Sequence, residues 1–207
     1  VIPTIARLAN HIKIPISIDT YKTEVAKAAL DAGASMVNSI KGIKRNIRLA
    51  KLISLYKVPI IIMHIKGTPR TMQKNPYYKS VISEIITDLR DQIAFARDVG
   101  IKKNKIIIDP GIGFGKTTLH NILILKNLRK FRILGNPIAI GTSRKSFIGN
   151  ILSVGVEQRV MGTAATVSLA IANGAHIVRV HDVKEMAQVA RMTDAIVKSK
   201  EHESNFH

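Results

Sequence analysis

Six times along the 207 residues, a short β-branched run ends on a polar residue and hands over to a segment with helical spacing. Residues 14–18 close on Asp19-Thr20, 35–37 on Asn38, and 59–63 on His64. Residues 105–108 close on Asp109-Pro110, 137–140 on Gly141-Thr-Ser143, and 176–180 on His181-Asp182. Runs this short and this apolar predict strands buried on both faces, hence a parallel sheet. Between them, Val25, Ala28, Ala29 and Ala32 stand at i, i+3, i+4 and i+7, as do Ile82, Ile85, Ile86 and Leu89. Met186, Val189, Ala190 and Thr193 repeat that spacing, which predicts helices with one apolar face. Gly33, Gly100 and Gly174 stand where three of the helices should stop.

Alternation of strand and helix without a break in composition predicts one α/β domain over residues 1–200, followed by a polar tail at 201–207. Two architectures fit: a doubly wound sheet, or most of a (β/α)8 TIM barrel. The polar strand ends favour the barrel. It converges every strand end on one site, whereas an open sheet uses only those near its switch point. Six units do not close a barrel of eight. The other two are expected before Val1, whose first ten residues read as the end of a helix.

Composition narrows the chemistry. With 46% hydrophobic and 22% charged residues, the chain can bury a core, which excludes a disordered or low-complexity role. The absence of Cys excludes disulfide scaffolds, thiolate zinc sites and cysteine nucleophiles. No apolar run approaches the roughly 18 residues of a membrane span, and no charged-then-apolar leader opens the chain. The 32 Lys and Arg against 14 Asp and Glu give a net charge of +18. Such a field attracts nucleic acid, anionic membranes or small anions. Aromatics are only 4%, with no Trp, so stacking platforms are scarce. We expect solvated lysines and a small anionic substrate, with neither nucleic acid nor membrane as a partner.

Three motifs carry the chemistry. Asp109-Pro-Gly-Ile-Gly-Phe-Gly-Lys116 is a glycine loop after a strand, matching neither a P-loop nor a dinucleotide fingerprint. Its glycines let backbone approach a ligand; the structural alternative is a tight strand-to-helix turn. Gly141-Thr-Ser-Arg-Lys-Ser146 combines small residues, cations and hydroxyls at a helix start, an arrangement suited to an anion, with Ser143 as a plain helix cap the alternative. In Arg179-Val-His181-Asp182, alternation puts Arg179 and His181 on one side. An inward Arg needs a partner: an anionic substrate, or an internal ion pair with Asp19 or Asp109. Asp19 and Asp109 are candidate acid/base groups or helix caps, and Met63-His64 is expected to line the pocket.

In this order, the motifs resemble the dihydropteroate synthases of the pterin-binding TIM-barrel superfamily. The resemblance runs from Val1 to about Lys200. It rests on Ser17-Ile-Asp-Thr20, Met63-His-Ile-Lys-Gly67 with Pro69 and Thr71-Met-Gln73, the glycine loop, Ser143-Arg-Lys-Ser146 and Arg179-Val-His-Asp182. It implies condensation of a dihydropterin-CH2-diphosphate with p-aminobenzoate, giving dihydropteroate and diphosphate, in folate biosynthesis. Asp19, Asn38, Met63, Asp109, Lys145 and Arg179 would then line the pterin pocket, with Asp19, Asp109 and Lys145 as the catalytic groups. Arg179 and His181 would hold the diphosphate, and Phe114 and Ser143 the p-aminobenzoate.

The resemblance also implies Mg2+ as cofactor, a cytoplasmic setting and a homodimer. Two departures stand out. Asn38-Ser39 replaces the family's Asn-Asp. The family's first two β/α units, with the Mg2+-binding Asn and a Thr-Arg pair near p-aminobenzoate, are not in this sequence; turnover is therefore expected to need those units. A corrinoid-system methyltransferase and a non-catalytic paralogue or fragment are the alternatives. The first has no reason to keep the Ser-Arg-Lys and Arg-x-His groups.

Overall fold

The computed structural model describes all residues except Arg45, Pro69 and 200–207. The expected polar tail at 201–207 and Pro69 of the third strand-end motif therefore lie outside the described residues. Six strands run β1 (Ser17–Asp19), β2 (Met36–Ser39), β3 (Ile60–Met63), β4 (Ile106–Asp109), β5 (Ala139–Ile140) and β6 (Ile177–Val178). The helices are α1 (Ile2–Ala9), α2 (Thr23–Asp31), α3 (Ile47–Tyr56), α4 (Val81–Asp98), α5 (Thr118–Lys126), α6 (Ser146–Leu152), α7 (Val160–Ala172) and α8 (Val183–Lys198). No described helix is long and apolar enough to cross a membrane.

All pairings are parallel and follow chain order: β1-β2-β3-β4 in one sheet and β5-β6 in a second. A single parallel bridge, Ile108↔Ile138, joins the two. A doubly wound sheet would reverse its strand order at a switch point. This one never does, as expected of successive units of a (β/α)8 barrel. The strands are shorter at one or both ends than the apolar runs that announce them. Residues 14–18 shrink to a strand beginning at Ser17, with Ile14 left exposed, and 176–180 shrink to Ile177 and Val178. Among the described residues both are edge strands, with a partner on one side only.

Register sets which side chains face inward. Asp19 pairs with Asn38, Asn38 with Ile61, and Met63 with Asp109, so these share one side of the sheet. The inner layer is thin: Ile61, Ile107 and Ala139 pack with Met36 and Ile177. The opposite faces of the strands are more heavily covered. Val37, Ile60, Ile62 and Ile106 pack under α2 and α3, while Ile108, Ile138 and Ile140 pack under α4, α5 and α6. Burying each such Ile contributes about 1.5–3 kcal/mol. Most of the fold's apolar free energy therefore lies between sheet and helices, which leaves the C-terminal strand ends free to carry polar groups.

Candidate active site

The end of each of the first four strands delivers one group. Asp19 ends β1 and lies beside Asn38 of β2, whose Nδ2 donates to Asp19 Oδ2 at 3.2 Å. Across the mouth, one guanidinium N–H of Arg179 donates to the same oxygen at 2.8 Å. This is the internal ion pair that the sequence offers as the alternative to an anionic substrate. With side chains 66% and 39% exposed, it is open to exchange for a ligand. Asp19 does not cap the following helix: Lys22 occupies that position, with no side-chain cap.

Asp109 ends β4 beside Met63, and its Oδ1 accepts the Gly111 N–H at 2.7 Å. Burial pushes its carboxyl above the usual carboxylate range, against the pull of Lys145, the Gly111 N–H, Lys116 and Arg179. Lys145 approaches from the loop after β5. Its ammonium donates to the Ile112 carbonyl and lies 4.9 Å from the centre of the Phe114 ring. Burial lowers it to about 8, opposed by Asp109. A cavity of about 460 Å³ opens beside Met63, lined also by Lys41, Lys44, Ile65, Gly67, Thr68 and, from α4, Asp88 and Gln92; Asp19, Asn38, Asp109, Lys145 and Arg179 lie outside it.

The glycine loop can reach this place only as glycine. Gly111 has φ +74°, and a Cβ on it would come within 2.0 Å of the His64 carbonyl oxygen; Gly115 has φ +66° and would meet the Lys66 oxygen at 2.3 Å. The loop therefore lies flat on the backbone that leaves β3. Lys116, only 3% exposed, pins it from behind: Nζ donates to the Phe114 oxygen at 3.0 Å and reaches the His64 oxygen at 3.5 Å.

Two expectations change. His64 does not line the pocket with Met63. Successive strand residues face opposite ways, so with Met63 inward the His64 ring turns outward to Asp88 of α4 at 2.7 Å and the Tyr78 hydroxyl at 3.2 Å. Burial lowers its pKa despite Asp88. Ser143 is buried, and its Oγ accepts the His181 backbone N–H at 3.1 Å and lies 2.9 Å from His181 Nδ1. It does not cap α6, whose cap position is Lys145, and the exposed hydroxyl of that motif is Ser146. Arg144, Lys116 and the pair His64–Asp88 carry more of the site's framework than their place in the motifs suggests. Asn38, Asp19, Met63, Asp109, Lys145 and Arg179 do come together at one end of the strands.

The pterin binding enzyme family matches residues 1–181. Dihydropteroate synthase of Synechocystis sp. is 47% identical over 196 residues, covering 94% of this chain and 68% of that protein. The Clostridium beijerinckii dihydropteroate synthase is 44% identical over 199 residues, covering 96% and 71%. Among solved structures, Yersinia pestis dihydropteroate synthase in a sulfonamide complex superposes with a TM-score of 0.94 at 34% identity, over 97% of this chain and 73% of that one. The Xanthomonas albilineans enzyme in complex with 7,8-dihydropteroate does so at 0.90 and 36% identity, over 97% and 73%. These matches cover nearly every described residue, so the chain belongs to the pterin-binding enzyme family, among its dihydropteroate synthases.

Proposed function

We infer that the chain is a transferase that joins a dihydropterin-CH2-diphosphate to p-aminobenzoate, releasing diphosphate and a proton. One observation carries the reading: Asp19, Asn38, Met63, Asp109, Lys145 and Arg179 converge on one mouth. Asp109 and Asn38 suit the amino and ring N–H groups of a pterin, with Met63 as an apolar wall and Lys145 as a donor to its ring acceptors. As the C–O bond to diphosphate breaks, positive charge develops on the methylene, and the Asp19 and Asp109 carboxylates stabilise it from fixed positions. Arg179 and His181 receive the leaving diphosphate, Arg179 by exchanging Asp19 for phosphate oxygens. The arylamine nitrogen attacks the methylene beside Phe114 and then gives up a proton. Ser143 stands beside the arylamine carboxylate in this reading, and its hydroxyl, which accepts the His181 backbone N–H, also orients that ring.

Mg2+ is part of the proposal as a companion of the diphosphate oxygens. Among the described residues, no three His, Asp or Glu side chains form a group able to hold an ion. A cytoplasmic setting belongs to the same reading and is carried by the family resemblance. So is a homodimer, which gains support from an apolar groove of about 560 Å³ between α7 and α8.

The test is formation of dihydropteroate from the two substrates with Mg2+, comparing this chain with one extended by the family's first two β/α units, turnover being expected of the second. Asp109→Asn should weaken pterin affinity by about 1–3 kcal/mol, the cost of one unsatisfied buried group, as read by calorimetry. Unchanged affinity contradicts the assignment of Asp109. The methyltransferase alternative predicts binding of a methyl-folate instead of the diphosphate.

A further inference from the structure

Beyond the groups that would touch substrate, polar contacts are dense where the loop after β5 meets the segment after β6. Two successive residues of one hold two successive residues of the other. Ser143 Oγ accepts from the His181 backbone, and the Arg144 guanidinium donates to both oxygens of Asp182, Nε at 3.0 Å and Nη2 at 2.5 Å. A third arm, Nη1 to Glu157 at 2.7 Å, ends on an 82%-exposed carboxylate and contributes little. Three of the five guanidinium N–H groups are thereby engaged within the protein, two of them on the one carboxylate of Asp182.

The backbone beneath this pair is forced. Arg144 has φ +54°, the left-handed region that a side chain other than glycine enters at a cost. Two contacts hold it there. The buried Thr163 hydroxyl of α7 accepts the Arg144 N–H at 3.1 Å, and Arg159 Nη1 donates to the Arg144 carbonyl at 2.8 Å. Arg159 reaches that carbonyl because Gly149 leaves room: a Cβ there would stand 2.5 Å from the guanidinium. The left-handed turn aims the next residue, Lys145, at the Ile112 carbonyl and Phe114. On the other side, Asp182 follows His181 directly and lies three residues after Arg179.

We propose that Arg144 and Asp182 are a positioning pair that holds the diphosphate-binding residues Arg179 and His181 in register with Lys145 and the pterin pocket. The proposal rests on the transferase reading and adds to it how the two ends of the substrate are kept at a fixed spacing. Lys145 has its own anchor in the Ile112 carbonyl, whereas the His181 ring rests on Ser143, the residue next to Arg144. Loss of the pair should therefore cost the diphosphate end far more than the pterin end.

The experiment measures affinity for inorganic diphosphate and for a free pterin by calorimetry, with melting temperature recorded alongside. The proteins are the parent chain, Arg144→Lys, Asp182→Asn and Glu157→Gln. Lys keeps the charge but cannot grip both carboxylate oxygens; Asn keeps the size without the charge. Expected is a loss of diphosphate affinity of about tenfold or more in the first two variants, as small misplacements of binding groups produce, with pterin affinity within about twofold. Glu157→Gln should match the parent. Diphosphate affinity unchanged in either Arg144→Lys or Asp182→Asn, or equal loss of both ligands in step with melting temperature, overturns the positioning role. A parent chain that binds neither probe overturns the transferase reading instead.

Discussion

At the scale of the residue, Lys116 is a cation enclosed where solvation is poor. Burial pushes its ammonium down to about 7, although Asp109 pulls the other way. In the unfolded chain the same group titrates near its ordinary 10.5. Between those values the unfolded state holds a proton that the folded state has given up, so unfolding free energy rises with pH across that window. Below about 7 both states are charged and the burial penalty is present in full. Lys116→Met should flatten this rise, whose one-proton slope is at most about 1.4 kcal/mol per pH unit. Denaturant titrations at pH 7, 8.5 and 10 measure it; an unaltered slope contradicts the enclosure of the charge. Asp19, Asn38 and Asp109 were legible because a polar residue closing an apolar strand has one place to be. His64 was legible in principle, since strand alternation forbids it to share a face with Met63. Arg144 was not: its partner Asp182 lies 38 residues away, and nothing local distinguishes a clamped arginine from a solvated one.

At the scale of the element, the glycine loop makes the most exacting demand. Gly111→Ala and Gly115→Ala each add a methyl to a left-handed residue already touching backbone carbonyls, which cannot swing aside as a side chain can. Each should destabilise by about 1–3 kcal/mol, as backbone strain costs, and should displace Phe114 and Asp109 enough to lower pterin affinity. Thermal melts and calorimetry on the two variants check both effects; a loss of stability without a loss of affinity would separate the loop from the site. Helix positions were legible from spacing: the spacing of residues 25–32 lies in Thr23–Asp31 and its cap, that of 82–89 in Val81–Asp98, and that of 186–193 in Val183–Lys198. Strand ends were less so. β-branched residues announce a strand, but length depends on partners on both sides, and the outer edges of β1 and β6 have none among the described residues.

At the scale of the whole molecule, four of the exposed apolar residues, Leu169, Met192, Ile196 and Val197, line one groove between α7 and α8. If two copies meet there, Met192→Glu places a charge in the shared groove and should convert dimer to monomer, with Asp109 chemistry untouched. Light scattering on the eluted protein measures the mass; a variant that stays dimeric moves the interface elsewhere. The two sheets, joined at the Ile108↔Ile138 bridge, both feed the site, and Arg179 of the smaller meets Asp19 of the larger across the mouth. Asp19, Asn38, Met63 and Asp109 belong to the larger sheet, and Arg179 and His181 follow the last strand of the smaller. A bound substrate would lie across that seam like a strut, pterin anchored on one side and diphosphate on the other. On the proposed reading the bond that breaks is the strut itself, so the reaction would uncouple the two ends and the leaving group could depart without the pterin having to loosen.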